Sequence, residues 1–130
     1  MARTVANFLD ASKKTAITQV DLNYFSTLAA RVFPTDSSKY TKLLADLQFV
    51  NSVGTTTFNY FATMDNDSLA IWRSALSGGL TTCNADVATT KTAVNATTAS
   101  QDKTDLLTIL DQMTADFTAL KTFIDTAANW

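Results

Sequence analysis

The sequence predicts an all-α protein, a helical bundle of about five to six helices closed by a C-terminal antiparallel αα-hairpin. Three observations predict it. Gly and Pro are scarce: one Pro and three Gly in 130 residues, with no Gly in 1–53 or 80–130. Sheet proteins of this length carry many Gly/Pro turns, so the scarcity favours long helices. Apolar residues recur at helical spacing through most of the chain. The last third steps 4-3-4-3-4-3 in a strict heptad. At 130 residues and 14.1 kDa, one domain spanning 1–130 is expected. Within it, 1–79 holds shorter helices around an aromatic core, and 80–130 holds a Thr/Ala-rich long hairpin.

The first element, about 4–14, places Val5, Phe8 and Leu9 on one face, with Thr4 as a cap. A break follows near 15–18. The next helix, about 18–32, turns Val20, Phe25, Leu28 and Val32 inward, with Asp21 well placed in its first turn. Pro34 ends it, because the residue before Pro avoids the αR region.

Asp36, Ser37 and Ser38 offer caps for a third helix carrying Tyr40, Leu43, Leu44, Leu47 and Val50, with Gly54 as its stop. Phe58, Phe61 and Met64 continue at helical spacing, although the Thr-rich run around them also suits a short strand. Asp65, Asn66 and Asp67 cap a short helix, 68–76, with Leu69, Trp72 and Leu76, and Gly78-Gly79 is expected to stop it.

Residues 81–104 hold 8 Thr and 5 Ala in 24 positions and no aromatic residue, a composition that also suits a linker. Leu80, Cys83, Val87, Thr90, Val94 and Thr97 nevertheless step 3-4-3-4-3, so a helix with a thin seam of small residues is expected. The last helix, about 103–128, carries Leu106, Leu110, Met113, Phe117, Leu120, Ile124 and Ala127, capped by Ser100 or Thr104. Its register differs from that of the preceding seam. A turn near 97–102 therefore explains the pattern, the alternative being one long helix whose stripe changes face.

Composition excludes much chemistry. The chain has 12 Asp, 10 Lys plus Arg, no Glu and no His, a formal charge of −2. Without His there is no imidazole base, no Ser-His or Cys-His nucleophile and no His metal ligand. Without Glu an EF-hand loop cannot close in its usual way. The Asp65-Asn66-Asp67 run lacks the rest of such a loop, with Ala70 and Leu76 at its sixth and twelfth positions, and reads as a helix cap. Asp102 with Asp105, and Asp111 with Asp116, are conceivable carboxyl pairs but fall on a solvated face. Cys83 is the one cysteine and reads as a small buried residue, since no cation cluster would lower its pKa. No catalytic residue, cofactor or metal ion is expected, and the protein is expected not to be an enzyme.

The scattered cations argue against nucleic acid. No stretch approaches 18 uninterrupted apolar residues, so no membrane partner is expected. The first ten residues lack a continuous apolar run, so a secretory signal is not expected.

Phe49, Phe58, Tyr60, Phe61 and Trp72 could stack bases or sugars, but are expected to form the core where the middle helices meet. Thr104, Thr108, Thr118, Thr122 and Thr126, beside Ala115 and Ala119, form a second face that is either simply solvated or suited to close helix approach. Charge is low, at 17% of residues, against the usual quarter. The resulting expectation is a structural subunit of a larger assembly, packing through helices against itself or other structural proteins as a homo-oligomer. The interface candidates are Leu106, Leu110, Met113, Phe117, Leu120, Ile124 and Trp130.

The composition is similar in a general way to that of small virion proteins of tailed bacteriophages. That resemblance implies a decoration or cement protein, a head–tail adaptor, or a tail or internal core component, located in the virion and assembled in the host cytoplasm. The alternative expectation is a monomeric helical module that binds a ligand or peptide.

Overall fold

The computed structural model describes residues 19–52 and 64–126. They are all helical, with no strands: α1 (Gln19–Val32), a 3-10 turn (Ser37–Lys39), α2 (Thr41–Ser52), α3 (Asn66–Asn95) and α4 (Gln101–Asp125). The expected helix at 4–14 and the run 58–63 lie outside the described residues.

Helix α1 buries Leu22, Phe25, Leu28 and Ala29, one stripe at helical spacing. It closes with Phe33 N–H donating to Ala29 O at 2.8 Å, directly before Pro34. Asp36 organises the next corner by accepting from the Ser38 N–H at 3.1 Å. Tyr40 pins that corner, edge-on to Phe25 at 6.5 Å and stacked on Phe33 at 6.4 Å between ring centroids. Helix α2 then buries Leu43, Leu47 and Val50.

Helix α3 departs from expectation. Asp65 caps it, accepting from Ser68 N–H at 2.7 Å, and Asp67 lies in its first turn. The helix then runs unbroken for 30 residues, through Gly78-Gly79. The expected 68–76 helix and the Thr/Ala-rich helix are one element, and the boundary drawn at 79/80 falls inside it. Two interior glycines cost about 2 kcal/mol relative to Ala. Leu76 and Leu80, buried on either side of them, each contribute about 1.5–3 kcal/mol, so tertiary burial outweighs the local preference.

The connection at 96–100 is tied down from both helices. Lys103 Nζ donates to Asn95 O at 3.1 Å and Thr97 O at 2.7 Å, supplying carbonyls at the end of α3 with a cation. Ser100 caps α4 by accepting from Lys103 N–H at 3.1 Å. Arg31 reaches Asp102 at 3.7 Å, joining the end of α1 to the start of α4. Contacts between α3 and α4 run in opposite order along the two helices: Arg73 to Ile124 O at 2.9 Å, Asn84 to Thr118 at 3.4 Å, and Lys91 to Asp111 at 2.5 Å. All four helices feed one buried cluster. Helix α1 lies against α4, and α2 lies against α3.

Candidate functional site: a carboxyl pair between two helices

The α4 heptad is where the interface candidates were expected. Leu106, Leu110, Met113, Phe117, Leu120 and Ile124 are 0–5% exposed within the single chain, packed with the buried residues of α1 and α3. Trp130 lies outside the described residues. The expected aromatic core is only partly formed: Trp72 packs against the cluster, whereas Phe49 is 43% exposed, its ring lying over Gly79. Phe58, Tyr60 and Phe61 lie outside the described residues.

Unusual chemistry occurs instead where α2 meets α3. Asp46 sits on α2 beside the buried Leu47, and Asp86 sits on α3 beside the buried Val87. Flanking these core positions, the two helices bring the carboxyl groups close enough for Asp86 to act on the proton of Asp46. Asp86 is only 7% exposed. The Oδ2 atoms of Asp46 and Asp86 are both buried and neither has a hydrogen-bond partner among the described residues. Lys42, one turn before Asp46, places Nζ 3.3 Å from Asp86 Oδ1 while its own side chain stays 78% exposed.

Burial, the hydrogen bond with Asp86 and the charge of Asp86 together push the Asp46 carboxyl up to about 7, against the opposing pull of Lys42. Cys83, one turn before Asp86, is 1% exposed. Burial, then the charges of Asp46 and Asp86, push its thiol up to about 12, so it stays protonated and weakly nucleophilic at neutral pH. The site can therefore hold a proton near neutrality. Neither Asp46 nor Asp86 lines either of two surface clefts found among the described residues. One, of about 310 Å³, includes Arg73, Ser77 and Asp125. The other, of about 490 Å³, includes Arg31, Pro34 and the 96–100 connection.

The acidic groups singled out from sequence are held otherwise. Asp65 is a helix cap. Asp105 and Asp116 accept from Gln101 and Gln112, and Asp102 and Asp111 face Arg31 and Lys91. The pair that does form joins residues 40 positions apart, which local spacing does not reveal. One signal was present: Asp86 is the sole charged residue between Arg73 and Lys91, and it directly precedes a seam position.

Among the described residues no group of three or more Cys, His, Asp or Glu side chains could hold a metal ion, and no helix is long and apolar enough to cross a membrane. A scan of protein-family models finds none that matches this chain, and searches of curated proteins and of solved structures find no match either.

Proposed function

We propose that the protein is a structural subunit of a larger assembly, a virion component of a tailed bacteriophage, in which α3 and α4 form an antiparallel αα-hairpin whose outer faces pack against copies of the chain or other virion proteins. One observation carries this reading: six exposed threonine hydroxyls on these helices are already satisfied within their own helix. Thr81, Thr82, Thr89 and Thr92 donate to Ser77, Gly78, Ala85 and Ala88 carbonyls on α3, and Thr104 and Thr108 donate to Ser100 and Thr104 carbonyls on α4, at 3.0–3.3 Å.

Burying an unpaired hydroxyl costs about 1–3 kcal/mol, and these side chains escape that cost because the bond stays within their own helix. What they turn outward is largely methyl. Gly78, Thr81, Ala85, Ala88 and Thr92 are all exposed and share one face of α3 at heptad spacing, a strip that admits a second helix closely and without desolvating any charge. Ile71, 72% exposed, lies one heptad before Gly78 and extends that strip.

Sedimentation of the purified protein over a range of concentrations tests the reading. The wild type is expected to associate. Ala88→Arg, at an exposed position, is expected to stay monomeric with its thermal stability unchanged. A wild type that is monomeric at every concentration, with the same mass as Ala88→Arg, overturns the proposal.

A further inference from the structure

We propose that the Asp46–Asp86 pair is a proton-held latch, which fixes α2 against α3 while the two carboxyl groups share a proton and lets α2 lift when that proton is lost.

Carboxylates are acceptors only. Two buried Oδ2 atoms, one on each of two facing helices, have no hydrogen-bond partner among the described residues; one proton between the two carboxyl groups supplies the missing donor, and without it two acceptors stand opposed. Asp86 is too deeply buried for water to stabilise a second charge beside it. Lys42 offers one positive charge at 3.3 Å to Asp86, enough for the singly charged pair and not for the doubly charged one. The groups acting on Asp46 are Asp86 from α3 and Lys42 from its own helix, with the neutral thiol of Cys83 alongside. No charge from α1 or α4 is among those that shift it.

Among the described residues, the docking that the pair opposes or supports rests on Leu43, Leu47 and Val50, the partly buried Leu44, a half-exposed Phe49, the Lys42–Asp86 ion pair and a 3.4 Å hydrogen bond from Thr90 Oγ1 to Lys39 O just before α2.

The proton leaves near neutrality, since Asp46 titrates at about 7 against an ordinary value of 3.8. Between these values the docked state binds more protons than the undocked one, so docking weakens as pH rises through the window and levels off above it. One proton of difference changes the docking equilibrium by up to about tenfold per pH unit.

Cys83 is a built-in reporter, buried against the pair. The rate at which a water-soluble disulfide reagent labels it, divided by the rate for the urea-unfolded chain at the same pH, cancels the thiol's own ionisation and reads opening. Between pH 5 and pH 8 this ratio is expected to rise about tenfold or more in the wild type, and to stay within about twofold in Asp46→Asn, whose neutral amide donates to Asp86 at any pH. A flat wild-type ratio, or an equal rise in Asp46→Asn, overturns the latch. Should Asp46→Asn fail to fold, amide exchange in the wild type decides. Once corrected for intrinsic rates, exchange must accelerate with pH in α2 more than in α4, and equal acceleration in both overturns the proposal.

Discussion

Helix α3 has two neighbours, and it meets them in different ways. Toward α4 it presents Leu80, Val87 and Val94, which share one apolar cluster with the six buried residues of the α4 heptad. Toward α2 it presents Gly79 beneath the Phe49 ring, and Asp86 against Asp46 and Lys42. Apolar burial is non-directional and insensitive to pH. A shared proton is directional and is lost by titration. One helix therefore carries a permanent contact along one side and a conditional contact along the other.

Breaking the seam should have the largest effect. Phe117 is 1% exposed and belongs to the apolar cluster. Phe117→Asp is expected to destabilise by more than about 4 kcal/mol, leaving the chain unfolded by circular dichroism at room temperature. A variant that melts like the wild type would show that the seam does not govern stability.

The pH dependence comes next. The three-unit rise at Asp46 corresponds to about 4 kcal/mol, and partial access to water reduces this to about 2 kcal/mol. Because the folded-state value is raised, this stability is fully present below about pH 4 and is lost as pH rises to about 7. Asp36 and Asp125, held below the usual range by hydrogen bonds from Ser38 and Lys121, have the opposite sign. Their contribution disappears only at more acid pH, outside that window. Urea titrations at pH 4.5 and 7.5 should thus show the higher midpoint at the lower pH, and equal midpoints would break the contrast between the two contacts.

The smallest expected effect sharpens the comparison most finely. A Cβ added at Gly78 meets nothing within 4 Å, whereas one at Gly79 lies 3.1 Å from Phe49 Cε1. Gly78→Ala should stabilise by about 0.5–1 kcal/mol. Gly79→Ala should gain less, because the Phe49 ring must shift. A difference in melting temperature between the two variants measures how firmly α2 rests on α3, and identical gains would show that Phe49 moves freely.

Legibility in the sequence follows the same division. The α4 heptad, the Ser100 and Asp65 caps and the end of α1 before Pro34 could all be read directly, because each depends on residues within a turn or two of one another. The continuity of α3 could not. Two adjacent glycines are a valid local stop signal, overruled here by Leu76 and Leu80 packing on residues far along the chain. Phe49 was expected inside because aromatic residues usually are, yet it covers a glycine at the surface.

Sequence alone determined that this chain is helical, low in charge and organised by an apolar heptad, since periodicity, capping and composition are local properties. Only the tertiary structure decided that α3 is one helix and that Asp46 and Asp86 come together where α2 meets α3. A buried electrostatic contact depends on the distance and burial of groups 40 residues apart, and no spacing rule along the chain encodes either quantity.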